Sequence, residues 1–121
     1  MIALGGALGA VLRHYAGLGV HLFLSVDFPW GTLLVNVLGS CVLGAIAAYF
    51  MVNAPHNYTR LFFVTGVLGA FTTFSTFSLD ALNLWMRGDI LNAFIYVLGS
   101  VTLSLGAVFL GFILMQHGLK T

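Results

Sequence analysis

Hydroxyl-bearing side chains are concentrated in one apolar stretch of the chain. Five of the seven residues of Thr72–Ser78 are serine or threonine, and this stretch directly follows Gly66–Ala70 and Phe71. One or two such residues in a membrane helix can bond back to their own turn. Five together, close to Gly69, predict a site where the helix loosens or breaks. Broken membrane helices use freed carbonyls for cations and freed amides for anions, so the stretch predicts an ion site.

Two other apolar stretches carry polar groups at helical spacing. Thr32 and Asn36 are one turn apart and therefore share one face of a helix. A buried carboxamide costs several kcal/mol unless its hydrogen bonds are met, so Asn36 is either a clamp between helices or a donor that faces a permeating ion. Tyr96, Ser100 and Ser104 form a hydroxyl stripe along one face of the last stretch.

Charged side chains inside the apolar stretches are few. Arg13 is the one base clearly within a span, where a charge is a functional hypothesis by default. It could bind a carboxamide, lie in a water-filled vestibule or raise the local anion concentration. Asp80 lies near the end of the third stretch and could reach a water-filled mouth. No embedded carboxylate, Ser/His pair or Cys/His cluster indicates catalysis, so an enzyme is the weakest functional class.

The composition predicts an integral membrane protein. Of 121 residues, 60% are hydrophobic and 6% are charged, whereas soluble domains carry about 25% charged residues. The net charge of +1 leaves no electrostatic footprint for nucleic acid. A spanning helix needs about 20 apolar residues. We therefore predict one all-α transmembrane domain over residues 1–121, with a break in its third helix. The four predicted spans are Ile2–Leu24, Trp30–Val52, Leu61–Met86 and Ile90–Gln116.

The distribution of positive charge gives almost no preferred orientation. Arg60 and Lys120 would share one side of the membrane and Arg87 the other. Either a short chain simply has few charges, or it inserts both ways and pairs with its own inverted copy. Small residues at four-residue spacing predict a bundle too tight to hold a wet lumen within one copy. We therefore predict an antiparallel, dual-topology homodimer.

At these residues the sequence resembles the CrcB/Fluc family of small fluoride channels. The resemblance covers nearly the whole chain, in order, through Gly5–Arg13, Trp30–Ser40, Gly66–Phe77 and Tyr96–Ser100. It implies a dual-topology homodimer with two antiparallel pores in a bacterial inner (plasma) membrane. Such a channel is expected to export fluoride passively and so to lower cytoplasmic fluoride.

The resemblance also implies roles for individual residues along a fluoride pathway. Phe74 and Phe77 match the family's aromatic box, where the positive edge of each ring could face an anion. Asn36 matches the polar residue beside this box. The hydroxyls that match the family's pore are those of Thr32, Ser75, Thr76 and Ser100. Tyr96 and Ser104 of the hydroxyl stripe complete the predicted pathway.

A structural sodium ion is a further expectation from the resemblance. Gly69 and Thr72 match positions whose backbone carbonyls hold a central Na⁺ where two copies of the third helix cross. Ala70 stands where the family often has glycine, which a backbone ligand tolerates unless positive φ is required. Arg13 matches the family's arginine in the first helix, as a vestibule or structural charge.

Two other functions remain in competition at the level of the sequence. A small multidrug-exporter-like transporter would share the size and dual topology, but it needs an embedded carboxylate in the first helix. No Asp or Glu precedes Asp27, which falls in a predicted loop. A non-conducting membrane scaffold subunit would explain the small-residue spacing and leave the hydroxyl-rich segment unexplained.

Overall fold

Helices account for nearly the whole chain. The computed structural model describes residues 1–121 and has no β-strand, which confirms the all-helical expectation. One further segment, Leu61–Leu68, is a π-helix. The six α-helices are α1 (Ile2–Phe23), α2 (Trp30–Asn53), α3 (Asn57–Arg60), α4 (Gly69–Phe71), α5 (Phe74–Met86) and α6 (Ile90–Lys120).

Three helical units are long and apolar enough to cross a membrane. They are Trp30–Asn53, Asn57–Met86 and Ile90–Lys120. Helix α1 has 22 residues but includes Arg13 and His14, which lower its apolar character, and its spanning remains a prediction. Helix α6 continues beyond Gln116, the end that hydropathy predicts. Its 31 residues extend about 46 Å at about 1.5 Å per residue, which exceeds a hydrocarbon core of about 30 Å.

The surface of the chain is apolar on most sides. Only 16 of 121 residues are buried, so most large apolar side chains point outward. In water this surface would be unfavourable, whereas lipid solvates it at no cost. The largest cluster of buried side chains is small and consists of Phe77, Leu84, Ala93 and Tyr96. Contacts between helices therefore depend mainly on close packing.

Glycines allow the helices to approach at two seams. Helix α2 packs along α6, where Gly44 lies against the α6 backbone and Gly111 against the α2 backbone. Helix α1 packs along the π segment, where a Cβ atom on Gly66 would lie 2.9 Å from the Cα of Gly5. Larger side chains at these positions would force the backbones apart. These glycines belong to the small-residue spacing seen in the sequence.

The loops at one end of the bundle are tied together. The turn between α5 and α6 uses Gly88, whose φ of +79° favours glycine, and the Asp89 N–H donates to the Leu84 carbonyl at 3.0 Å. From this turn Arg87 donates to the Asp27 carbonyl at 2.6 Å. The loop before α2 and the turn before α6 therefore lie on the same side of the bundle.

The third helical unit is interrupted for two residues. Helix α4 ends at Phe71 and α5 begins at Phe74. Between them, Thr72 (φ −81°, ψ 157°) and Thr73 (φ −153°, ψ 125°) are extended. The interruption lies within the hydroxyl-rich stretch, and it exposes backbone groups that an unbroken helix would pair internally.

Candidate ion pathway

Asn36 on α2 holds the interruption in place through both ends of its carboxamide. Its Nδ2 donates to the Thr73 carbonyl at 2.9 Å, and its Oδ1 accepts from the Thr73 N–H at 2.7 Å. The pair reproduces the two-bond pattern that neighbouring peptide groups make in a sheet. Asn36 is thus a clamp between helices. The second hydrogen of Nδ2 remains available, so the residue can also donate to another group.

The interruption redirects two backbone amides, and the four carbonyls of Gly69, Ala70, Phe71 and Thr72 lose their helical donors. In an unbroken helix the Thr73 N–H would bond to the Gly69 carbonyl, but here it bonds to Asn36. Likewise, the Thr76 N–H would bond to the Thr72 carbonyl, but it donates to Thr73 Oγ1 at 3.3 Å, which caps α5. The carbonyls of Gly69 and Thr72, which are predicted to bind sodium, are among these four.

A cleft of about 260 Å³ opens beside the clamp, between α2, α5 and α6. It gathers five predicted pathway residues from three separate segments, along with Thr72 of the predicted sodium site. No charged side chain lines it. We call it the first cleft. Its lining consists of Asn36, Ser40, Leu43, Thr72, Thr73, Phe74, Phe77, Ser100, Val101 and Ser104.

Ser100 lines this cleft, and its hydroxyl is buried without a partner. Ser100 is 4% exposed, and its Oγ is the one buried side-chain polar atom of the chain that makes no hydrogen bond. A hydroxyl left unpaired in this way costs about 1–3 kcal/mol. An occupant that accepts a hydrogen bond would remove that cost, so the cleft suits a small polar guest.

The two predicted rings differ sharply in their surroundings. Phe74 is 77% exposed, whereas Phe77 is 8% exposed, and their centroids lie 5.5 Å apart at 49°. Both line the first cleft. One chain therefore packs around most of the Phe77 ring and leaves most of the Phe74 ring exposed beside the cleft.

Tyr96 lies behind Phe77 and does not line the cleft. It is fully buried, its ring centroid is 5.2 Å from that of Phe77, and Phe28 contacts it edge-on at 5.6 Å. Its hydroxyl donates to Asp80 Oδ2 at 3.1 Å. In the single chain, Tyr96 is thus a support for the Phe77 ring, and the Asp80 carboxylate reaches inward to meet it.

A second cleft, of about 240 Å³, lies on the other side of the clamp between α1, α2 and the start of α5. Arg13, Thr32 and Thr76 of the predicted site line it, together with His14 and His21. Thr73 lines both clefts, so the clamp lies between a compartment that contains a fixed positive charge and a neutral one.

The clefts thus account for most of the predicted pathway residues. Ser75 is exposed and lines neither cleft, and Gly69 is exposed on α4. Sequence reasoning missed Ser40, which lines the first cleft one turn after Asn36. The signal in the sequence was its spacing of four residues from Asn36. Ser40, Gly44 and Ala48 also recur every four residues, as small packing residues do.

Comparison with known proteins assigns the chain to a family. Residues 1–112 match the family described as "CrcB-like protein, Camphor Resistance (CrcB)". The chain belongs to the CrcB-like family. Its relatives include proteins named "Fluoride-specific ion channel FluC". That of Nitrobacter winogradskyi is 47% identical over 111 residues, which cover 91% of this chain and 88% of the relative.

Two further relatives carry the same name. The protein of Rhizobium etli (strain CFN 42) is 45% identical over 119 residues, and that of Rhodopseudomonas palustris (strain BisB5) is 44% identical over 117 residues. Both alignments cover 96% of this chain and 94% of the relative. Together with the three helices able to span a bilayer, membership of this family establishes a multi-pass membrane protein.

The clamp generates a prediction for Asn36→Ala. Alanine leaves the Thr73 N–H and carbonyl without their partner, which should cost about 2 kcal/mol and raise amide exchange at Thr73 about thirtyfold. Hydrogen exchange of the purified protein measures this. Asn53→Ala is the matched control, because Asn53 is exposed and bonds only to the Tyr49 carbonyl of its own helix. Unchanged exchange at Thr73 in Asn36→Ala would show that the clamp does not hold the interruption.

Proposed function

We propose that this chain forms a fluoride-selective ion channel, which lets fluoride leave the cell passively and so lowers cytoplasmic fluoride. The observation that carries the proposal is the first cleft, where the Asn36 amide, two aromatic rings and an unpaired buried hydroxyl line one uncharged space. The names of the relatives supply the ion. The function is that of a channel and not of an enzyme.

The chemistry of the lining suits fluoride in particular. Fluoride is small and holds its water strongly, so a pathway must replace that water with hydrogen-bond donors. Serine hydroxyls and the free N–H of Asn36 are such donors, and the edges of Phe74 and Phe77 carry positive potential. Conduction also requires binding weak enough to release the ion. Neutral donors meet this requirement better than an arginine in a dry cavity would.

We propose that the working unit is an antiparallel homodimer with two pores. The 77% exposure of Phe74 leaves the first cleft with an open side, which a second copy would close. A nearly even distribution of Arg60, Arg87 and Lys120 between the two predicted sides lets the chain insert in both orientations. All four predicted helices, α1 included, would then span a bacterial inner membrane.

A sodium ion at the centre of this dimer is part of the proposal. Na⁺ is a hard cation that prefers oxygen ligands, as other hard cations do. The Gly69 and Thr72 carbonyls have lost their helical donors, so they are suited to such a role. Two carbonyls are too few for one ion, but a second copy would double the number. A bound cation would offset the cost of an anion nearby.

The competing functions lack a supporting observation. An exporter of cationic drugs needs a carboxylate within the first helix, and α1 contains neither Asp nor Glu. A non-conducting scaffold gains nothing from a partnerless buried hydroxyl beside a broken helix.

The channel function predicts fluoride flux through protein in liposomes. Purified protein should release trapped fluoride, measured with an ion-selective electrode, and retain chloride. Phe74→Ile and Phe77→Ile should slow fluoride release at least about a hundredfold, because each removes a ring edge from the anion's path. Phe109→Ile is the control, since Phe109 is exposed on α6 outside the cleft. Equal fluoride and chloride release, or no release, would contradict the channel function.

The antiparallel dimer predicts that both ends of the chain occur on both sides of the membrane. A Thr121→Cys chain in the Cys41→Ala background should be labelled by an impermeant thiol reagent from either side of the cell membrane, each in about half of the molecules. Membrane-permeant reagent gives the total for comparison. Labelling from one side only would contradict dual topology.

The sodium proposal predicts that flux depends on Na⁺. Replacing Na⁺ throughout purification and flux measurement with N-methyl-D-glucamine, which is too large for the site, should slow fluoride release about tenfold or more. Adding Na⁺ back should restore it with a saturating dependence. Equal release in the two cations would argue against a structural sodium ion.

A further inference from the structure

Ser40 is a polar residue that lines the first cleft. It is not among the residues of the predicted fluoride pathway. It lies on α2, half-buried, one turn after Asn36. Together with Thr32 it extends a polar stripe of spacing four along that helix. Ser40 lines the cleft from α2, while Ser100 and Ser104 line it from α6. Three serines thus border one space from two helices.

These three serines differ from Thr72 and Ser78 of the third helical unit. Thr72 donates to the Leu68 carbonyl at 2.9 Å and Ser78 to the Phe74 carbonyl at 3.0 Å, which is the usual way for a hydroxyl to be satisfied within a membrane helix. The hydroxyls of Ser40, Ser100 and Ser104 take part in none of the chain's side-chain hydrogen bonds. They remain free to donate into the cleft.

The remaining lining of the cleft favours an anion as the acceptor. No carboxylate lines it, and the oxygen of Asn36 already accepts from the Thr73 N–H. Asn36 also has a second N–H hydrogen that is free to donate. A small anion could accept hydrogen bonds from the three serine hydroxyls and from this N–H.

We propose that Ser40, Ser100 and Ser104 form a three-hydroxyl subsite for a small anion, with Ser40 as the donor from α2. This inference rests on the proposed fluoride channel and adds a residue to its pathway. The α6 serines alone would surround the ion from one helix. Ser40 supplies a donor from the opposite wall, so that the ion can exchange more of its water for hydroxyl groups as it passes.

The test is the dependence of flux on fluoride concentration in liposomes. Ser40→Ala should raise the fluoride concentration for half-maximal flux about tenfold, which corresponds to about 1.4 kcal/mol. Ser40→Thr keeps the hydroxyl and should restore the wild-type value to within about threefold. Ser40→Cys, which is nearly the same size with a weak donor, should fall between them. If Ser40→Ala is not recovered as a folded protein, the Ser40→Cys variant tests the same donor.

Ser78→Ala is the matched control, because the Ser78 hydroxyl is used within its own helix. It should keep the wild-type concentration dependence. Wild-type fluoride flux together with an unchanged half-maximal concentration in Ser40→Ala and Ser40→Cys would overturn the subsite and leave the channel function intact. Absence of fluoride flux in the wild-type protein would overturn both.

Discussion

The two hydrogen bonds between the Asn36 carboxamide and the Thr73 backbone hold the interruption of the third helical unit against α2. They allow the third helical unit to leave its helical path for two residues while the N–H and carbonyl of Thr73 stay paired. Because the helix restarts at Phe74, the two rings at Phe74 and Phe77 begin a new helix whose direction α2 fixes. The clamp also separates the cleft that contains Arg13 from the uncharged one.

Asparagine suits this position for a chemical reason. Its side chain presents one donor and one acceptor in a plane, as a peptide group does, so it pairs with both backbone groups of Thr73 at once. An aspartate would accept from the N–H but repel the carbonyl, and alanine would satisfy neither. The clamp leaves one N–H of Asn36 unused beside the first cleft. A single side chain can therefore support the break and still present a donor to an ion.

The sequence predicted the general architecture well because composition and hydropathy report directly on the solvent. The apolar stretches became helices, and the hydroxyl-rich stretch contains the interruption. The sequence could not predict which residues contact each other across different helices. Spacing places Asn36 on a face, but it does not reveal that both ends of its carboxamide meet Thr73. The π-helical segment Leu61–Leu68 has no recognisable signal in its residues.

One serine and one tyrosine also show that sequence spacing does not identify a residue's partners in space. Ser40 lies at a spacing that fits both a small-residue seam and a polar stripe, and only the fold shows that it borders the cleft. Tyr96 shares a face with Ser100, yet the structure buries it behind Phe77, where its hydroxyl bonds to Asp80. A helical face is wider than a pathway, so one turn separates a residue that lines the cleft from one that supports its wall.

The exposed side of the first cleft would bring its polar lining close to lipid in a single chain. Contact of Phe74 with hydrocarbon would be favourable, since its exposed ring is apolar. Contact of the unpaired serine hydroxyls and the free N–H of Asn36 with hydrocarbon would be unfavourable, because acyl chains offer no acceptor. Rotating the serines back onto their own helices would satisfy them but would remove the donors from the cleft. In the proposed dimer, a second copy would resolve the conflict differently, because it would exclude lipid, bury Phe74 and leave the donors facing a space that an anion can occupy.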